Sequence, residues 1–128
     1  PEFKKIYVSF GINDYYFSES LFRTKYSLLI DEIMAVASPD AKIYICAVYP
    51  VWDGMDKGTL GLSNENLIKF NKIALEIAKQ KGVCFVDLSE AFVKEDGYRY
   101  LSEDESYDGI HLYREGNIKV CEYIRTHR

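Results

Sequence analysis

Lys42-Ile43-Tyr44-Ile45-Cys46-Ala47-Val48-Tyr49 is an almost unbroken apolar run, and Pro50 ends it. Its β-branched and aromatic residues favour a strand. It lacks the apolar–polar alternation of a half-wetted strand, so both faces should be covered, as in a parallel sheet. Two further runs are likewise rich in β-branched and aromatic residues. Lys5-Ile6-Tyr7-Val8-Ser9-Phe10 is closed by Gly11, and Val83-Cys84-Phe85-Val86-Asp87-Leu88 follows Gly82. Glycine and proline at their ends are strand boundaries.

The segments between these runs have helical spacing. Ser18 is a candidate N-cap, with Glu19 at the positive end of the helix dipole. Phe22, Tyr26, Leu29, Ile30, Ile33 and Ala37 then recur on one face, and Pro39 follows the end. Ser63 or Asn64 caps a second helix with the stripe Leu67, Phe70, Ala74, Ile77 and Ala78. Gly82 stands where such a helix ends in left-handed geometry. A third helix is expected from about Arg114 to Arg125, with Ile118, Cys121 and Ile124 or Val120 inward. The order β-α-β-α-β-α implies parallel strands joined by right-handed crossovers, with helices packed on the sheet. Two long connections, Val51 to Leu62 and Glu90 to Asp108, follow strand carboxyl ends, where open α/β sheets bind ligands.

Composition agrees with one globular domain over residues 1–128. Of its 128 residues, 48% are hydrophobic and 28% charged, as in ordinary folded domains. The net charge of −4 speaks against nucleic acid or an anionic membrane as partner. The longest apolar run, Ile43 to Trp52, is interrupted by Pro50 and too short to span a bilayer. The start, Pro1-Glu2-Phe3-Lys4-Lys5, lacks the apolar core of a signal peptide. Cys46, Cys84 and Cys121 are odd in number and far apart. Each lies in an apolar stretch, so all three are expected to be buried free thiols. That mildly favours a reducing, cytoplasmic compartment.

The chain has two histidines. His127 is beside the C-terminus and is expected to fray. His111 lies in Tyr107-Asp108-Gly109-Ile110-His111-Leu112, after the second long connection. A carboxylate three residues ahead, across a glycine turn, can reach back to imidazole Nδ1. That contact fixes the tautomer and stabilises the imidazolium of a general base. Capping or surface exposure is the plainer alternative for this histidine. Gly11-Ile12-Asn13-Asp14 closes the first strand. An Asn13 amide held at the sheet's carboxyl edge can donate to an oxyanion. An Asx-turn that merely ends the strand is the alternative. Asp14 could cap the next segment of chain. Asp14, Asp53, Asp87 and Asp108 all fall near strand carboxyl ends, so a magnesium-dependent phosphoryl-transfer domain is a rival reading.

Together the two motifs resemble those of the SGNH hydrolases, also called GDSL-type esterases and lipases. Gly11-Ile12-Asn13-Asp14 is similar to that family's G-x-N-D block, and Asp108-Gly109-Ile110-His111-Leu112 to its D-x-x-H block. Tyr26, Leu29-Ile30, Pro39, Phe70-Asn71, Phe85-Val86-Asp87-Leu88 and Gly116 extend the likeness along the whole chain. The resemblance implies a three-layer α/β/α, flavodoxin-like fold with a parallel sheet. It also implies a Ser-His-Asp triad with His111 as base and Asp108 as its orienting acid. Asn13 would be an oxyanion donor supported by Gly11 and Asp14. Trp52, in the loop after the second strand, and Gly109 could line an acyl or sugar pocket; a partly buried packing residue is the plainer alternative for Trp52. The substrate would be a small acyl or acetylated-sugar ester, and no metal or cofactor is implied.

Two parts of the pattern are absent among these residues: the glycine after the family's second strand, which gives a backbone oxyanion donor, and the G-D-S block, which carries the nucleophile. None of the chain's own serines sits in a sharp strand-to-helix turn between small residues. The resemblance therefore implies an incomplete fold, with three strands and three helices here and two earlier strand–helix units elsewhere. The nucleophile would come from those units, and the isolated chain should be inactive. An N-terminal fragment or another chain would pair with the Lys5–Phe10 strand, whose open edge is otherwise an aggregation hazard. A degenerate, non-catalytic binding domain on the same fold is the non-enzymatic alternative.

Overall fold

The computed structural model describes residues 2–55 and 61–128. Pro1 and the middle of the expected Val51–Leu62 connection lie outside the described residues. The elements are β1 (Lys5–Val8), α1 (Glu19–Val36), β2 (Lys42–Ala47), α2 (Asn64–Lys81), β3 (Cys84–Asp87), a 3-10 turn (Leu88–Phe92) and α3 (Arg114–Thr126). The strands form one parallel sheet in the order β1-β2-β3. Lys5 pairs with Lys42, and Tyr44 with Cys84.

The central position of β2 explains its continuous apolar sequence. Ile43 and Ile45 face one core, with Val8, Phe22, Tyr26, Ile30, Phe70 and Ile77. Tyr44 and Cys46 face the other, with Val86, Leu88 and, from α3, Val120, Tyr123 and Ile124. So α1 and α2 cover one face and α3 the other, giving the three-layer α/β/α arrangement. The helix ends follow local chemistry. Ser18 Oγ accepts the Leu21 N–H at 3.1 Å, and Ser63 Oγ accepts that of Asn66 at 3.2 Å. Gly82 ends α2 in left-handed geometry and donates to the Ala78 carbonyl.

Three expectations need correction. Only Cys46 is buried; Cys84 and Cys121 are exposed free thiols. Cys84 lies on an edge strand and Cys121 on the outer side of α3. Burial pushes the Cys46 thiol up to about 11. In α3 the inward residues are Val120, Tyr123 and Ile124, whereas Ile118 is exposed. The strands are also shorter than their apolar runs. Beyond Ala47 the backbone pairs with side chains from α2. Asn71 accepts the Val48 N–H at 2.9 Å and donates to the Val48 carbonyl at 3.1 Å. Asn64 does the same for Val51, at 2.8 and 3.0 Å. These two amides, on one face of α2, take the place of a neighbouring strand.

β1 is an edge strand. Tyr7 and Phe10 beside it are exposed, and Tyr7 stacks on Tyr44 of β2 with ring centroids 4.7 Å apart. No helix of the described residues is long and apolar enough to cross a membrane.

Candidate active site

Asp108 to His111 form a turn closed by its own carboxylate. Asp108 Oδ1 accepts the N–H groups of Ile110 at 2.8 Å and His111 at 2.7 Å. Its Oδ2 lies 2.6 Å from His111 Nδ1. The His111 N–H, then the imidazole, then the Ile110 N–H hold the Asp108 carboxyl well below the usual carboxylate range. It is therefore anionic and can only accept. The proton of the short contact must sit on Nδ1, which leaves the Nε2 lone pair free. The His111 side chain is 64% exposed. Tyr107 stacks on its ring with centroids 5.8 Å apart, and Tyr113 tilts against Tyr107.

Gly109 makes this turn possible. Its φ is +83°, and a Cβ there would lie 2.5 Å from Met55 Cε and 2.7 Å from Trp52 Cδ2. Both the conformation and the space exclude a side chain. Gly109→Ala is expected to cost about 2–4 kcal/mol from left-handed strain and overpacking. Chemical denaturation checks this; a loss under ~0.5 kcal/mol would show that the indole simply moves aside. The Trp52 N–H donates to the Gly109 carbonyl at 3.0 Å. Trp52 thus lies against the histidine turn. Its indole Nε1 is buried without a hydrogen-bond partner among the described residues.

The other motif reaches the same end of the sheet. Gly11 is buried, Asp14 half-buried and Asn13 exposed. The Asp14 N–H donates to the Gly11 carbonyl, and the Asp14 carbonyl accepts from Phe17. Ile12 and Tyr15 from this side, and Met55 and Ile110 from the other, pack on one cluster of Val48, Val51, Leu62 and Leu67. Asn13 and His111 are each one residue from a side chain in that cluster. A cavity of about 270 Å³ opens on the α2 side of the segment, lined by Val48, Asn64, Leu67, Ser89, Arg99 and Tyr100. Trp52 is not among its lining residues.

The rest of the predicted chemistry is placed elsewhere. Asp87 is held by Arg99 at 2.7 Å and by Ser89. Among the described residues no three His, Cys, Asp or Glu side chains gather in a group that could hold a metal ion. Ser18 and Ser63 cap helices, and the hydroxyls of Ser89 and Ser106 are engaged with Asp87, Arg99, Gly109 and the His111 carbonyl.

Sequence reasoning missed the braces around the histidine. Glu105 is buried, with its side chain only 4% exposed. It accepts from Lys94 at 2.7 Å, from Lys119, and from the Ser102 N–H at 2.8 Å. Burial works to raise its pKa, but Lys119, Lys94 and the Ser102 N–H outweigh it and hold the group at about 2. Its carbonyl accepts the Tyr113 N–H at 2.8 Å, and a Cβ on Gly116 would lie 2.8 Å from that same oxygen. Glu105 thus joins the loop to the start of α3. Asn64 and Asn71 carried a readable signal: they are seven apart, two helical turns, with Asn71 set in the apolar stripe.

This architecture recurs in solved structures. One is a protein from Streptococcus pneumonia provisionally named a platelet activating factor, at TM-score 0.81 and 20% identity, with 96% of this chain and 58% of that one covered. A variant of an acetyl-xylooligosaccharide esterase from Geobacillus Stearmophilus matches at TM-score 0.75 and 14% identity, covering 97% and 58%. A carbohydrate acetylesterase from Sinorhizobium meliloti matches at 0.69 and 18%, covering 96% and 60%. The chain therefore spans about 58–60% of the length of these structures. No curated protein matches the sequence. The model of the GDSL-like lipase/acylhydrolase family matches residues 1–117, and the chain belongs to that family.

Proposed function

We propose that this chain carries the acid–base machinery and one oxyanion donor of an ester hydrolase. The carrying observation is the 2.6 Å contact of Asp108 with Nδ1 of the largely exposed His111 ring, which leaves Nε2 as the proton acceptor. A serine supplied by polypeptide outside these residues attacks the ester carbonyl carbon. His111 Nε2 takes the serine proton, and Asp108 stabilises the resulting imidazolium. The carbonyl oxygen becomes an oxyanion, to which the Asn13 side-chain N–H donates. Collapse expels the alcohol, which takes the proton from His111, and an acyl-enzyme remains. Water then attacks the acyl carbon and gives a proton to His111; collapse breaks the acyl–serine bond, the serine oxygen takes that proton back, and the acid is released.

The edge position of β1, with Tyr7 and Phe10 exposed, supports its free edge as the seat of the serine-bearing segment. The named activities of two structural neighbours support a small acyl or acetylated-carbohydrate ester as substrate. These 128 residues alone are expected to leave p-nitrophenyl acetate unhydrolysed. Turnover by this chain that disappears in His111→Ala would mean that one of its own serines is the nucleophile.

A further inference from the structure

Ser106 is among the most deeply buried side chains, 1% exposed, yet it is polar. It lies two residues before Asp108 and pairs with Leu112 in an isolated antiparallel bridge. Its Oγ accepts the Gly109 N–H at 2.8 Å and donates to the His111 carbonyl at 2.7 Å. One hydroxyl thereby ties the two ends of the tripeptide Gly109-Ile110-His111 together. Asp108 secures the same turn through the Ile110 and His111 N–H groups. Gly109 is buried, and removing the hydroxyl would leave its N–H unpaired there. Such a group costs more than the bond itself contributes.

We propose that Ser106 is a positioning residue that sets the tautomer of His111. Its hydroxyl fixes the backbone at His111, and so the distance from imidazole Nδ1 to Asp108 Oδ2. That distance decides whether the proton sits on Nδ1, leaving Nε2 to accept. Ser106 touches neither the ring nor any reacting atom; it acts through the turn and through its Oγ, which also lies 3.5 Å from Asp108 Oδ1. The inference rests on His111 being the general base, but it concerns the imidazole before any substrate arrives.

Nitrogen-15 spectra of the histidine rings test it in this chain, with His127 as internal reference. In the wild type the neutral His111 ring should be chiefly protonated on Nδ1. In Ser106→Ala the ratio of Nδ1–H to Nε2–H should fall about fivefold, one hydrogen bond's worth. Ser106→Thr keeps the hydroxyl and should restore the ratio. A merely structural serine would lower the melting temperature and leave the ratio alone. An unchanged ratio in Ser106→Ala overturns the proposal, as does an equal fall in Ser106→Thr. Should the alanine variant not fold, Ser106→Cys decides, because it keeps the side-chain size with a feeble donor and acceptor. Ester turnover is not the readout. A protein that hydrolyses no ester would sink the reaction assigned above without touching this result.

Discussion

His111→Ala should lower kcat on p-nitrophenyl acetate about a thousand- to ten-thousand-fold in an enzyme that unites this chain with a serine-bearing segment. In the reaction proposed above, the imidazole would take the proton as the serine oxygen attacks and return it as the alcohol leaves. Alanine offers neither exchange. KM should change little, because the largest contribution of His111 comes in the transition state rather than in the ground state. Asp108→Asn should come close to the same loss. An amide can donate to Nδ1, so it favours the tautomer in which Nε2 holds the proton and cannot accept one. Steady-state kinetics on both variants check this. A kcat within tenfold of wild type for His111→Ala would remove it from the reaction.

A large, pH-dependent effect on stability is expected at Glu105. Its carboxylate is buried against Lys94 and Lys119. A shift from an ordinary value near 4.5 to about 2 corresponds to about 3 kcal/mol at neutral pH. Glu105→Ala should lose roughly that much, or about 10 °C in melting temperature for a chain of this size. The pH dependence has a definite sign. The folded pKa lies below the unfolded one, so the stabilisation is complete above about 4.5. It drains away as the pH falls from 4.5 towards 2. Melting curves at pH 7 and pH 3 should therefore lie closer together for Glu105→Ala than for the wild type. Equal acid sensitivity in both would place the acid-labile contact elsewhere.

The strands and their parallel pairing were legible because β2 is buried on both faces, and that leaves an apolar run with no polar interruptions. The caps at Ser18 and Ser63 were legible because capping is local chemistry. Asp108 and His111 were legible for the same reason, being three residues apart. Asn13 could be placed at a strand end but not related in space to His111, since the cluster between them draws on four separate segments. The strand ends were hidden because the partners of Val48 and Val51 are Asn71 and Asn64, 23 and 13 residues away. The inward face of α3 was ambiguous in sequence, with apolar residues at 118, 120, 121 and 124. The surface offered by Tyr44, Cys46, Val86 and Leu88 chose among them. Cys84 and Cys121 misled because apolar neighbours in sequence do not ensure apolar neighbours in space.

The side-chain amides of α2 have a consequence for how the site can vary. Asn64 grips Val51, Gly109 accepts from Trp52, and Leu101 donates to the Val51 carbonyl. On the far side, Asn66 grips the Gly61 carbonyl. Both stems of the connection between Met55 and Gly61 are thus anchored to a helix that also forms the core. Lengthening a connection between fixed stems costs only about 0.6 kcal/mol per doubling. Residues 56–60 can therefore change in length and in chemistry while both stems, and the histidine turn bonded to Trp52, keep their anchors.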